Sequence, residues 1–569
     1  MVGVAGRLVF LAVVTAVAAR VVTQGKGIAV TGMTTGINQQ TGETPTRVNI
    51  NLLADNGGPM WDLYIRGLDA LQHRAEDDPK SHFSVGGIHG MPYRPYNGVG
   101  PDPNGSGLGY CPHMETQFVA WHRAYVALYE QILGEQVQQL ALEYTGDSAS
   151  AYQDAAQKFR LPFWDWASDS TLPTACVEET VTVNGPQGQI TLHNPLYNYR
   201  WQTYPLDPNE FPGSQGWGPT TTRDGANGFD PEFVNSKLQD ASDQIRGAVY
   251  RTFVSSNTFE EMASMANSGS SFEEPHNDIH NLVGGSFENL DITGFDSLFM
   301  LHHANLDRLV ALWSAVHNSS YQTQPYVSPG LYSTPRGAAI TADSPLKPFY
   351  QQDGKTFHTG MSAATTEAFG YTYDELSRSR LDADAGALVS RINKLYGPRA
   401  AAATTTTTVT TTTTHRRAWF AALQVERADL ALPASIELRA GGGGDDDDER
   451  LVGRTVLLGM PAAGLAHDEI GLGRAVDALG LGGDDNDDDD DGEAAPDAVF
   501  RALREGLRVQ VKKGDGTTVD LGDIPSLRLQ IAHEEVTPAG SDTEFPTFGA
   551  RKYDPMVLSG IKGGWVLLH

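Results

Sequence analysis

Apolar residues recur at helical spacing in three places along the first two thirds of the chain. Trp61, Leu63, Tyr64, Leu68 and Leu71 fit one helix face, and Phe118, Trp121, Tyr125, Leu128, Ile132 and Leu133 mark a longer helix. Leu298, Leu301, Leu309, Leu312 and Trp313 mark a third. The stretches between them are long and rich in Gly, Pro, Asn and Tyr, which predicts a mainly α domain wrapped in irregular loops over 20–397. The pattern changes near residue 400. A Thr tract flanked by Ala, between Gly397 and Arg417, has no apolar period and predicts an exposed linker over 398–417. Beyond it LQVERADL, SIELRA, RTVLLG, LRVQVKK and SLRLQIA alternate with period 2 between Gly, Pro and Asp turns. That alternation predicts an antiparallel β-sandwich over 418–569.

Charge adds insertions to this picture. Lys and Arg number 41 against 70 Asp and Glu, a net charge of −29. The runs Asp445 to Glu449 and Asp484 to Glu493 hold 13 of those acids and read as solvated loop insertions in the β domain. Neither has EF-hand spacing. An acidic chain without a basic run argues against nucleic acid and anionic membranes as partners. Two cysteines, Cys111 and Cys176, cannot build a disulfide scaffold.

Arg7 is followed by a dozen apolar residues, Leu8 to Ala19, ending in small ones. This is the layout of a secretory signal over 1–19, and it is too short to cross a bilayer, which takes roughly 20 residues. The expected location is the secretory pathway, with the cytoplasm as the alternative. Sequons at Asn104 and Asn318 would permit glycosylation on that route.

The 16 histidines carry the chemistry. His415, His467, His533 and His569 are isolated in the C-terminal part, whereas two sets gather earlier. One is His89, His113 and His122; the other is His276, His280 and the adjacent pair His302 and His303. His276 and His280, spaced i, i+4, share one helix face, a common metal clamp. All-imidazole sets suit zinc, copper, iron or nickel, and the absence of HExxH and of CxxC pairs removes the usual zinc readings.

HGMPY around His89, CPHME around His113, FVAWHRAYV around His122, PHNDIHNLVGG and FDSLFMLHHANLDRLVALW closely resemble the tyrosinase family of type 3 dicopper proteins, fungal branch. The resemblance spans Val48 to Gly397, and FGYTYDE and INKLYG resemble the segments that close its catalytic domain. It implies that His89, His113 and His122 bind copper A and that His276, His280 and His303 bind copper B. His302 then stands behind the ligands, and Cys111 forms a thioether with His113. Asp296 matches the motif's Asp, while Ser297 replaces its usual Pro; a local backbone effect is expected there rather than lost metal. Glu273 and Asn277 match the pair that orients a basic water for monophenols. Leu290 falls at the gate over the coppers, with Asn281 at a second activity-linked position.

The implied activity is O2-dependent ortho-hydroxylation of monophenols and oxidation of o-diphenols to o-quinones, with two copper ions as cofactors and phenols such as tyrosine as substrates. Pigment formation of the melanin type is a family-level expectation. A catechol or o-aminophenol oxidase with diphenol activity alone is the alternative, and a dicopper oxygen carrier a remote one. The β domain resembles the family's shielding domain, which implies a latent pro-enzyme, a processing protease at the linker, and an aromatic cover for which Phe545 and Phe548 are the candidates.

Overall fold

The computed structural model describes residues 27–106, 109–225, 228–319, 321, 323–377, 386–398, 416–441, 450–481, 495–560 and 564–567. The expected signal, nearly all of the Thr tract and both acidic runs lie outside the described residues.

Six helices position the site: α1 (Gly58–Gln72), α2 (Gln117–Ala141), α3 (Ser242–Ser255), α4 (Glu273–Val283), α5 (Ser297–Val316) and α6 (Ala387–Tyr396). In α2 and in the first 17 residues of α5, buried side chains run round every face rather than along one stripe, which marks central helices. Both pack against each other, with α1 on the outer side of α2. Asp296 caps α5, its carboxylate accepting from the Leu298 amide at 2.9 Å. Helix α4 opens with Glu273 and Glu274 at its positive end and stops at Gly284, where φ is +69°. A Cβ at Gly284 would also come within 2.1 Å of the Asp224 carboxylate.

A buried charge network ties α2 to α5. Arg47 donates to Glu130 on α2 at 2.8 Å and to Asp307 on α5 at 3.2 Å. Arg123 on α2 also pairs with Asp307, and the Tyr371 and Tyr373 hydroxyls donate to it at 2.6 Å. The next residue, Arg308, pairs with Asp165 and Glu375 and donates to the Tyr396 hydroxyl of α6 at 2.7 Å. The segments expected to close the domain therefore close it through two neighbouring residues of α5.

The C-terminal part is two antiparallel sheets around one core. Its strands are β1 (Arg416–Glu426), β2 (Ala434–Ala440), β3 (Arg450–Leu457), β4 (Leu465–Gly471), β5 (Leu507–Lys513), β6 (Thr518–Val519), β7 (Arg528–Thr537), β8 (Thr547–Phe548), β9 (Lys552–Ser559) and β10 (Gly564–Leu567). The orders are β3-β2-β5-β6 and β4-β1-β7-β9-β10, with β8 on β7. The alternation along β1 buries Trp419, Ala421, Leu423 and Val425 between the sheets. Strand β1 begins at Arg416, two residues inside the expected linker. Strand β3 lies on α4 and β4 on α3. Among the described residues no helix is long and apolar enough to cross a membrane.

Burial pushes the Asp307 carboxyl up, but Arg123 and Arg47 pull it below its ordinary value. Its stabilisation is complete above the unfolded carboxylate value of about 3.9 and is lost as pH falls below that, through the folded value. Asp307→Ala leaves the buried Arg123 guanidinium without its carboxylate and Arg47 with one of its two. It should destabilise the helical domain by about 3–5 kcal/mol at neutral pH, read from the denaturant midpoint; an unchanged midpoint would contradict this role.

Candidate metal centre

The chain brings its two histidine sets side by side. His122 projects from α2, His276 and His280 from α4, and His302 and His303 from α5, while His89 and His113 come from loops. Ligand atoms of His89, Cys111, His113 and His122 lie within 4.8 Å of one another, as do those of His276, His280, His302 and His303. The rings of His122 and His303 stack at 4.2 Å, so the two sets adjoin.

Hydrogen bonding fixes which nitrogen faces inward. The Nδ1–H of His89 donates to the Leu290 carbonyl at 2.8 Å, that of His122 to Phe118 at 2.8 Å, and that of His280 to Phe287 at 2.6 Å. His276 Nδ1 donates to the Asn277 side-chain oxygen at 2.9 Å. Each Nε2 therefore carries a lone pair. The Nε2 atoms of His89, His113, His122 and His280 are buried without a partner, and those of His276 and His303 face each other at 3.3 Å. Two buried histidines outside the sets contrast with this. His82 uses both nitrogens, on Tyr129 and the Phe295 carbonyl, and His358 uses both, on Ser362 and the Val30 carbonyl. An unpaired buried acceptor costs about 1–3 kcal/mol, so several aimed at one space fit metal ions. Burial lowers all seven imidazoles below the ordinary range, His89 to about 3 and His280 to about 4. They are neutral near pH 7, the form a metal binds.

His302, expected behind the ligands, lies beside them. Neither of its nitrogens has a partner, and it falls within the same group of ligand atoms as His303. The second set thus offers four imidazoles. Adjacent helical residues point about 100° apart, and it is His303 that turns toward His122 while His302 packs on Trp166.

The remaining predicted residues divide. Cys111 Sγ lies 3.3 Å from His113 Nδ1, and burial raises its thiol well above the usual range. Glu273 is fully buried, and its carboxylate accepts from the Met114 amide at 2.7 Å, the Met265 amide at 2.9 Å and the Ser264 hydroxyl at 3.0 Å. It ties the segment carrying His113 to α4 and, among the described residues, makes no hydrogen bond to Asn277. Asn277 sends its amide to the Val456 carbonyl of β3 at 3.2 Å. Leu290 is buried, and its carbonyl serves the site by holding His89. Asn281 donates to Glu288 at 2.8 Å. Asp296 forms a two-armed pair with Arg223 besides capping α5, so its work is structural. Ser297 accepts from Gln72 at 2.9 Å.

Phe545 and Phe548 are a correction. Phe545 packs on Tyr250 of α3, and Phe548 pairs with Val536 at the sheet edge. Among the described residues neither ring stacks on a site histidine. Phe545 also packs against the helical domain's core, but the segment buried within it is the end of β3 and its turn. Val456, Leu458 and Met460 are buried in the helical domain's own apolar core. Arg427 holds that turn, donating to the Pro461 carbonyl at 2.7 Å and to the Leu458 carbonyl. Its charge reaches both Glu273 and His113. The signal was present in the sequence as LLGMP, apolar residues running past a strand end into a turn.

The common central domain of tyrosinase matches residues 79–316. A tyrosinase of Neurospora crassa is 31% identical over 65% of this chain and 58% of its own length. A tyrosinase of Podospora anserina is 30% identical over 61% of the chain and 65% of its length, and polyphenol oxidase 2 of Agaricus bisporus is 31% identical over 63% and 67%. The chain thus spans about three fifths to two thirds of these relatives. In structure it is similar to recombinant mushroom tyrosinase, with a TM-score of 0.77 and 23% identity over 92% of this chain and 98% of that one. It is also similar to an Aspergillus oryzae holo-protyrosinase, with a TM-score of 0.68 and 19% identity over 93% and 98%. The fold likeness takes in the β domain. With the histidine geometry, these matches establish that the chain belongs to the tyrosinase family, whose members work with a pair of copper ions and O2.

Proposed function

We propose that this chain is a tyrosinase in activity, oxidising o-diphenols to o-quinones and hydroxylating monophenols at the ortho position, and that its β domain keeps it latent. The observation that carries the reading is the set of buried, neutral imidazoles with inward-facing, unpaired Nε2 atoms. His89, His113 and His122 would hold copper A, and His276, His280 and His303 copper B. The Cys111–His113 contact supports a thioether between them. When bound, the copper pair supplies O2 activation and takes up the phenol's electrons.

The chain's own part is to hold geometry and manage access. Backbone carbonyls from Leu290, Phe118 and Phe287 fix three imidazole planes. Glu273 holds the loop of His113 against α4; three donors leave its carboxylate roughly one free lone-pair site. Asn277 aims its amide at the covering strand, and the same donor would meet a phenol or a water once that strand leaves. Leu458 and Met460 would be the cover, seated from the β domain. The mushroom tyrosinase of similar fold has been described in latent and active forms and the Aspergillus protein as a pro-tyrosinase, which supports latency here. A role in melanin-type pigment formation follows from the same reading.

Three outcomes test it. His122→Ala or His280→Ala should lose one copper per chain and all oxidase activity, measured by metal analysis and quinone formation; His302→Ala should cost about 10–100-fold in affinity or activity. Full copper with normal turnover in the first two would sink the assignment.

Cleavage in the Thr tract should raise phenol oxidation severalfold at constant copper content. Leu458→Ala with Met460→Ala should raise the uncut chain's activity in the same direction, whereas Phe545→Ala should not. Unchanged activity after clean cleavage and separation would make the β domain a folding aid rather than a cover.

Asn277→Asp should change monophenol turnover far more than diphenol turnover, since a diphenol is more acidic and depends less on assisted proton removal. Glu273→Gln is a poorer probe, because its new amide would face two backbone donors. Equal loss on both substrates in Asn277→Asp would reject the proton role.

A further inference from the structure

The loop between α4 and α5 holds one ligand of each metal site. The Phe287 carbonyl anchors His280 and the Leu290 carbonyl anchors His89, and the Phe287 ring stacks on His280 at 4.7 Å. Glu288 lies between these anchors. It caps no helix and, among the described residues, joins no salt bridge; its hydrogen-bond partner is the Asn281 amide at 2.8 Å. Asn281 lies four residues beyond Asn277 on α4, about 6 Å along the axis and on the same side. Asn281 and Glu288 are only half-buried, unlike the ligands around them.

The β domain brings a cation to this edge. Arg454 of β3 lies two residues before Val456, which receives the Asn277 amide. Its Nε is 3.5 Å from the Asp278 carboxylate, with which it forms an ion pair across the boundary. Burial, with Asp224 beside it, raises the Glu288 carboxyl above its ordinary value against the pull of Asn281, Lys237 and Arg454, which places both cations within electrostatic range. Lys237 is already paired with Asp224. A guanidinium from the β domain, paired with Asp278, therefore stands at the acidic edge in the full chain.

We propose that Glu288, oriented by Asn281, is the subsite for a cationic group on the substrate, so that the uncovered enzyme prefers phenols bearing an ammonium group to phenols bearing a carboxylate. The inference rests on the phenol-oxidase reading and on departure of the covering strand. A ring brought to the converging Nε2 atoms lies beside Asn277, and a short para substituent running along α4 reaches Asn281 and Glu288. Arg454, paired with Asp278, adds its charge at the same edge until the strand leaves. The chain's net charge of −29 draws cations diffusely and is screened by salt. A fixed, half-buried carboxylate discriminates at contact range, where the effective dielectric is lower.

The test uses the copper-loaded full chain after cleavage in the Thr tract and three catechols with the same ring. These are 3,4-dihydroxyphenethylamine, 4-methylcatechol and 3-(3,4-dihydroxyphenyl)propionate. The kcat/KM should favour the amine over the acid, and Glu288→Gln should collapse that ratio by about tenfold, through KM, as expected for loss of a hydrogen bond to a charged group. Glu288→Asp should recover part of it. Calorimetric binding of phenethylamine, which cannot be oxidised here, should weaken by a similar factor in Glu288→Gln. If that variant fails to fold, tighter binding of phenethylamine than of 3-phenylpropionate by the unmodified enzyme decides the point. Oxidation of all three catechols without charge preference, or a ratio unmoved by Glu288→Gln, overturns the subsite alone. No oxidation of 4-methylcatechol by the unmodified enzyme overturns the phenol-oxidase reading and the subsite with it.

Discussion

The unpaired Nε2 atoms at the junction of α2, α4 and α5 are the constraint on which the rest of the molecule turns. Each is a buried acceptor with no protein donor, so the arrangement is costly without cations and must be held rigidly to be useful. The holding is done from outside the site. His122 and Arg123 are neighbours on α2, and His303 and Asp307 lie one turn apart on α5, so the Arg123–Asp307 pair joins the two helices beside the point where His122 and His303 stack. Tyr371 and Tyr373 then close the far end of the chain's first domain on the same carboxylate.

Helix α4 joins this centre to the β domain because its residues divide between two sides. His276 and His280 face the metal site, while Glu274, Asn277 and Asp278 meet β3 and β4. Gln244 of α3 bridges Asp278 and the Arg454 carbonyl across the same boundary. Covering the site and contacting the residues that follow its ligands are thus one geometric event, performed by one strand and its turn.

Much of this was legible in the sequence. The period of Phe118 to Leu133 located α2, the i, i+4 spacing of His276 and His280 located the clamp, and period-2 alternation after the Thr tract gave the sheets. What stayed hidden depends on tertiary placement. Glu273 reads as an acid near a ligand, but its three donors come from Ser264, Met265 and Met114, and only folding brings Met114 to it. Phe545 and Phe548 suggest a cover by residue type, yet strand order carries them to α3 and to a sheet edge. Leu458 and Met460 reach the helical domain because β3, not the chain end, lies on α4. His302 could not be separated from His303 by spacing alone, and both remain within reach of the second metal site.

The central claim is that two adjoining histidine sets hold a coupled pair of copper ions rather than two independent ones or a single one. Electron paramagnetic resonance of the oxidised, copper-loaded chain, quantified against total copper, tests it directly. The account predicts two copper ions per chain with almost no signal, because the spins of a closely held Cu(II) pair cancel. One copper per chain, or two with full signal intensity, would contradict it.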